Sequence, residues 1–238
     1  MCVDPATIIS RYEHEISTMP GIISQGRSVI VYDLAYTPTE IFRMVDKYHK
    51  LVVKVHVNHL KDFIDIPSGI SMDADYMHIQ GNRDIVSSSL TTHKILESKF
   101  PDIEFHLRQS NIHNNEYAAL NKLYLDSDLT PLPKSFFSSS KTVTVLVRDK
   151  NKEIQGAVSL LFIKNNAVCV LAGCLKRFLQ GRGIIHKLLY LAFKFALTKV
   201  NCIWGIVDVK NHHVIKLFNY FNCTCDNSYK WIVFQKVL

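Results

Sequence analysis

The stretch Cys174–Leu189, CLKRFLQGRGIIHKLL, holds the residues whose types and spacing most plainly admit chemistry. Gly181 and Gly183 flank Arg182 just before a helical pattern of apolar residues at 185, 188, 189, 192, 193 and 196. A helix N-terminus leaves N–H groups unpaired and carries about half a positive charge, which attracts phosphate. Gly183 has no side chain to hold an anion away from the backbone. Lys176, Arg177, Arg182 and Lys187 add positive charge around it. Two familiar phosphate loops do not fit. A G-x-G-x-x-G dinucleotide loop needs glycine where His186 stands. A G-x-x-x-x-G-K-[ST] loop begun at Gly181 needs glycine at His186 and a hydroxyl at Leu188. Spacing by itself leaves a tight turn and an anion site equally open.

The elements that must position this turn read as alternating strands and helices. RSVIVYDL (Arg27–Leu34) is a β-branched strand pattern. Thr37, Pro38 and Glu40 form a capping box with proline at the first helical position, so a helix is expected over Pro38–Lys50. Leu51–Leu60 then alternates Val53, Val55 and Val57 with Lys54, His56 and Asn58, the signature of a half-buried strand. Farther on, IEFHLRQ reads as a strand and NNEYAALNKLYLDSD as a helix after an asparagine cap. TVTVLVRD and IQGAVSLLFIK form a hairpin around KNKE, and NNAVCVLAGCL is a strand preceded by a turn at Asn165–Asn166. The glycine turn and its helix come next. CIWGIVDV, a short helix capped by Asn211, and the strand YKWIVFQKVL complete the order. A boundary near Phe100–Pro101 would separate an N-terminal α/β domain (1–100) from a C-terminal domain (101–238).

The order strand, helix, hairpin, strand, QGRGI loop, helix, strand, capped helix, strand resembles the GCN5-related N-acetyltransferase (GNAT) superfamily over roughly residues 102–238. The family's Q/R-x-x-G-x-G/A signature is matched by Gln180-Gly181-Arg182-Gly183-Ile184-Ile185 except at its last position. A later element, Asn followed by Leu-Tyr and then Gly-Phe, aligns with Asn211, Leu217-Phe218 and Asn222-Cys223. The resemblance implies a mixed, mostly antiparallel central sheet flanked by helices, preceded here by a smaller α/β domain (1–100) that would either shape the acceptor pocket or be a degenerate GNAT-like half. A piece of about 100 residues before a single GNAT domain also resembles the layout of the dTDP-fucosamine acetyltransferases, which acetylate a nucleotide-linked amino sugar.

The resemblance also implies a donor, an acceptor and a set of site residues. Acetyl-CoA is the implied acyl donor, and a small amine is the implied acceptor, attacking the acetyl group directly. Gly173, Cys174 and Leu175 would pair with the pantetheine arm, and Gln180, Gly181, Arg182, Gly183, Ile184, Ile185 and His186 would hold the pyrophosphate. Asn211 would orient the arm, and Phe218 stands where many members carry a tyrosine that protonates the leaving thiolate. Tyr220 is the expected substitute. Ile206 falls where a glutamate base is common, and strand periodicity puts Asp208 on its face, so Asp208 is the expected base or amine anchor. The departures at Phe218 and Ile206 also fit a second class, a CoA-binding or sensing protein impaired in catalysis.

Charge and composition bound these readings. Residues 1–100 hold 10 Lys+Arg against 12 Asp+Glu, whereas residues 101–238 hold 18 against 9, a balance of +9 that suits an anionic ligand. The basic part lacks a helix-turn-helix signature, zinc spacing or interleaved aromatics, so a nucleic-acid partner is not expected. Cys2, Cys169, Cys174, Cys202, Cys223 and Cys225 complete no zinc pattern, and His56 with His59 lacks cysteine or carboxylate company, so no metal is expected. No apolar run approaches the roughly 18–20 residues of a membrane span, and no signal peptide is visible, which gives a cytoplasmic expectation. Homodimers are a habit of the family.

Overall fold

The computed structural model describes residues 5–24, 28–32, 36–92, 100–109, 112–127, 129, 131–163 and 166–237. Cys2, Arg27, Leu34 and Asn165 lie outside the described residues. In chain order the elements are α1 (Pro5–Arg11), α2 (Glu13–Thr18), β1 (Ile22–Ser24), β2 (Val29–Val31), α3 (Pro38–Tyr48), β3 (Lys50–His56), β4 (Ile70–Asn82) and α4 (Arg83–Thr92). They continue with β5 (Ile103–Gln109), α5 (Asn114–Leu125), α6 (Lys134–Ser138), β6 (Thr142–Asp149), β7 (Ile154–Ile163), β8 (Ala167–Leu175), α7 (Ile184–Ala196), β9 (Cys202–Asp208), α8 (His212–Tyr220) and β10 (Thr224–Lys236).

The chain divides into two compact units, and the division is not at residue 100. The first unit comprises Met1–His78, Ile206–Asn211 and Cys225–Leu238; the second comprises Ile79–Gly205 and His212–Thr224. The reason is a strand pairing. β10 runs antiparallel to β3 from Tyr229↔His56 to Gln235↔Lys50, which draws the C-terminus into the first unit.

In the first unit β1 and β2 are antiparallel, and β2 and β3 are parallel on either side of α3. Val53, Val55, Ile232 and Phe234 face a core of Ile9, Ile16, Ile41, Val45 and Tyr48 from the helices. The capping box forms as expected: Thr37 N donates to Glu40 Oε2 at 2.7 Å, and Glu40 N donates to Thr37 Oγ1 at 3.4 Å. α3 stops at Tyr48, and His49 takes the left-handed conformation at φ 67°. β3 ends at His56, earlier than the alternation suggests, because Val57–Phe63 winds into a 3₁₀ turn. Lys54, expected on a polar face, is buried.

In the second unit β5, β6, β7 and β8 form an antiparallel meander, and β8 pairs in parallel with β9. The architecture is therefore mixed and mostly antiparallel, flanked by helices. α5 is capped at His113 rather than at an asparagine, with His113 N donating to Glu116 Oε2 at 3.0 Å. α7 buries Ile184, Leu188, Leu189, Ala192, Phe193 and Ala196, while Ile185 is only half-buried. The long strand β4 and the helix α4 after it are not foretold by the sequence pattern.

Candidate active site

The backbone around β8 is shaped by two irregularities. Between β7 and β8 the register moves from Leu160↔Val170 to Ser159↔Ala172, so Leu171 is an extra residue in a β-bulge. The parallel pairing with β9 runs only from Ala167↔Cys202 to Val170↔Gly205. β8 thus continues through Leu171–Leu175 beyond its last partner in β9. Leu171 and Ala172 are half-buried and Gly173 is exposed, so this backbone edge is open to a ligand that brings its own amides.

A short loop joins that edge to α7. Arg177–Leu179 makes one 3₁₀ turn, and the buried Leu179 anchors it. Gln180 Nε2 donates to the carbonyl of Leu175 at 3.0 Å and ties the loop back to the strand end. Gly181 and Gly183 follow with φ of 75° and 76°. A Cβ placed on either would meet nothing within 4 Å. The glycines are therefore required by backbone conformation, and the space over them is open.

No side chain caps α7. His186 N and Lys187 N both turn back to the carbonyl of Gly183, at 3.1 and 3.2 Å. Among the described residues, the N–H groups of Ile184 and Ile185 have no protein acceptor. Left-handed residues around a helix start make a concave nest of N–H groups, and an uncapped dipole adds to its pull on anions. Arg177 and Arg182 are exposed beside it, and Lys176 and Lys187 are half-buried.

The remaining expected site residues fall in different places. Cys174 is buried, and burial pushes its thiol up to about 12 against a backbone hydrogen bond from Ala157 and a side-chain one from Ser127. It is therefore a thiol at neutral pH and not a ready nucleophile. Tyr220 meets His186 edge to face, with ring centroids 4.6 Å apart, which sets it beside the first turn of α7. Phe218 is buried against β9: a Cβ on Gly205 would come within 2.5 Å of its ring. Asp208 and Asn211 belong to the first unit. Asp208 Oδ1 accepts from Lys210 N at 2.8 Å, and Asn211 N donates to the Asp208 carbonyl at 2.9 Å, so both shape the turn after β9.

Sequence reasoning missed one polar feature. Tyr124, Ser159 and Thr144 form a buried hydroxyl chain, with Tyr124 Oη and Thr144 Oγ1 each 2.9 Å from Ser159 Oγ. Ser159 is the residue at which the β7–β8 register shifts. The hydroxyls satisfy one another beneath the bulge, and burial pushes the Tyr124 phenol up. A serine and a threonine inside otherwise apolar strands are the signal in the sequence.

No family model and no curated protein matches this chain. Solved structures do. A protein assigned as an acetyltransferase of the GNAT family from Novosphingobium aromaticivorans superposes with a TM-score of 0.63 at 10% identity, over 99% of this chain and 97% of its own. A GCN5-related N-acetyltransferase from Kribbella flavida gives 0.57 at 10% identity, over 98% and 95%. A tandem GNAT protein from the clavulanic acid biosynthesis pathway gives 0.58 at 10% identity, over 89% and 75%. At this identity the likeness establishes the fold, and the fold is that of the GNAT acetyltransferases.

Proposed function

We propose that the protein is an acetyl-CoA-dependent N-acyltransferase acting on a small amine. The observation that carries this reading is the pairing of an open β8 edge with the uncapped N–H nest at Gly181–Ile185. A pantetheine arm presents amides that suit Leu171–Leu175, and a pyrophosphate suits the nest with Arg177 and Arg182 beside it. The residues fit the donor, since nothing fills the space over the two glycines.

In the reaction, the amine nitrogen attacks the acetyl carbonyl, the C–S bond breaks, and the proton lost by nitrogen is balanced by one gained at sulfur. The buried, protonated Cys174 argues for direct attack over an acyl-cysteine intermediate. Tyr220, beside the first turn of α7, is the proposed proton donor to the thiolate. Asp208 and Asn211 take their proposed roles, base or amine anchor and arm orientation, from the family resemblance. Deprotonating a lysine ammonium at pH 7 costs roughly 4.6 kcal/mol, but an α-amine near 7.8 costs only about 1 kcal/mol. With isoleucine at position 206, an amine of low basicity is the preferred acceptor. The basic C-terminal part favours one with an anionic handle, such as a nucleotide-linked amino sugar.

The first unit reads as a second, non-binding GNAT-like half. β2–α3–β3 repeats the parallel strand–helix–strand crossover of β8–α7–β9, but Glu40 occupies the start of α3 where α7 is uncapped. The burial of Phe218 supports a second reading, a CoA-binding protein without turnover.

The deciding test is a thermal-shift titration with acetyl-CoA, CoA, ATP and NAD. At 100 times its dissociation constant a ligand adds about 2.7 kcal/mol, or roughly 5–10 °C in a chain this size. Shifts with both CoA species and none with ATP or NAD are expected; no CoA shift would sink the reading. Turnover on an amine panel then separates the enzyme from the sensor.

A further inference from the structure

β5 is the outermost strand of the second unit's meander, with β6 on one side and, among the described residues, no strand on the other. The pairing runs unbroken from Ile103↔Asp149 to Gln109↔Val143, so no bulge bends the strand, and no proline interrupts it. None of its seven residues is buried, whereas residues 142–147 of β6 all are. Leu107 is 38% exposed. In an antiparallel pair, alternate residues turn their N–H and C=O groups away from the partner strand. Outside its ladder, β5 makes one backbone bond, from Ile103 N to the Phe100 carbonyl at 2.9 Å. The outward backbone groups of 104–109 therefore have no protein partner among the described residues. A regular, open edge of this kind is a template for another strand.

The side chains along this edge are self-complementary. Glu104, His106 and Arg108 share one face of the strand, and Ile103, Phe105, Leu107 and Gln109 share the other. His106 is the middle residue, so a two-fold axis through it lays a second β5 antiparallel on the first with all seven residues in register. That register sets Glu104 opposite Arg108 of the second copy, and Arg108 opposite its Glu104, two unlike-charge pairs. Phe105 meets Leu107 twice on the other face. Centring the axis on Phe105 or on Leu107 shortens the ladder and sets Arg108 or Glu104, respectively, opposite a residue outside the strand. Both charges can reach across. The Glu104 carboxylate, 3.0 Å from His106 Nε2, is 67% exposed. Arg108 gives Nε and Nη2 to Glu116 at 3.4 and 3.3 Å, and its Nη1 has no acceptor among the described residues. α5 packs chiefly over β7 and β8, which leaves room over β5 for the second strand's side chains.

We propose that β5 is a dimer interface whose partner is a second copy of this chain, joined edge to edge through residues 103–109 about a two-fold axis at His106. The same patch then serves both copies, as a two-fold interface requires. Main-chain hydrogen bonds between the two edges supply the attraction, and the charge order selects the partner and the register. An unrelated strand has no reason to carry an acid and a base four residues apart in the opposing order. The charge pairs are exposed, so their share of the affinity falls as salt is added. This inference is independent of the acyl-transfer reading, because it uses β5 alone.

Sedimentation velocity on the full chain, over a range of concentrations, tests it first. The wild type should dimerise, and Glu104→Lys should weaken the dimer about tenfold, because both unlike pairs become like pairs. Cysteine substitutions then read the register. Directly opposite residues lie about 4.5–5.5 Å apart at Cα, within the span of a disulfide. His106→Cys should therefore link two chains through position 106 when oxidised with diamide. Mass spectrometry locates the bond, since the native Cys225 is also exposed. Glu104→Cys sets the two new thiols about 13 Å apart along the strands and should not link. A wild type that stays monomeric at every concentration would overturn the proposal. A Glu104→Lys dimer as tight as the wild type would do the same, as would a link formed by Phe105→Cys or Glu104→Cys in place of His106→Cys. A dimer in which no position of β5 links would put the interface elsewhere and also overturn it.

Discussion

Gly183 starts α7 with φ at 76°, a conformation that costs a side-chain-bearing residue about 1–2 kcal/mol. Since a Cβ at this position would meet no atom within 4 Å, Gly183→Ala should lose stability by about that amount through backbone strain alone. Urea denaturation measures it. The same substitution tilts N–H groups out of the nest, so acetyl-CoA affinity should fall at least tenfold by calorimetry, about 1.4 kcal/mol. Stability loss with unchanged affinity would make Gly183 a structural turn only. The need for glycine was readable from Gln180-Gly181-Arg182-Gly183, because φ preference is local. The fate of Phe218 was not. Its ring rests on Gly205 thirteen positions earlier in the chain, and nothing in either residue's neighbours encodes that meeting.

Elements show the same divide between local and distant causes. The start of α3 was legible because Thr37, Pro38 and Glu40 act within one turn. The bulge in β8 was not, since it is a matter of register against β7, and no local pattern within β8 states that register. Glu116 links three elements in a comparable way. Its buried carboxylate accepts from His113 N at the start of α5, from Arg108 in β5 at 3.3 Å, and from Arg148 in β6. Burial pushes this carboxyl up, but the His113 N–H and the two guanidiniums outweigh it and hold it below the ordinary value. A carboxyl depressed in the folded state stabilises the fold above its unfolded value, about 4.3, and that contribution is lost as pH falls through the folded value. Glu116→Gln should therefore cost about 1.5–3 kcal/mol at pH 7, the worth of hydrogen bonds to a charged group. Its deficit should shrink as pH drops below about 4.3, and denaturant midpoints at pH 7, 5 and 3 would show this. A deficit constant across that range would mean the carboxylate's charge contributes nothing.

At the scale of the whole molecule, the sequence suggests a cut near residue 100, where the strand–helix alternation begins afresh at Ile103. Alternation marks where elements lie and not which strands pair. The last strand was legible as a strand, but its partner, β3, lies more than 170 residues earlier. Trp231, Ile232 and Phe234 are among the most buried residues of the first unit, at 1%, 1% and 0% exposure. A fragment of residues 1–100 lacks all three, and β3 loses its antiparallel neighbour from Lys50 to His56. Such a fragment should not fold, and its amide spectrum should be collapsed. Joining residues 224–237 to it through a flexible linker restores the pairing edge and should recover dispersed resonances for Leu51–Val55. A folded 1–100 fragment would show that the helices α1–α3 and β1–β3 close a core without β10. In that case the C-terminal strand would add to the first unit without being needed to build it.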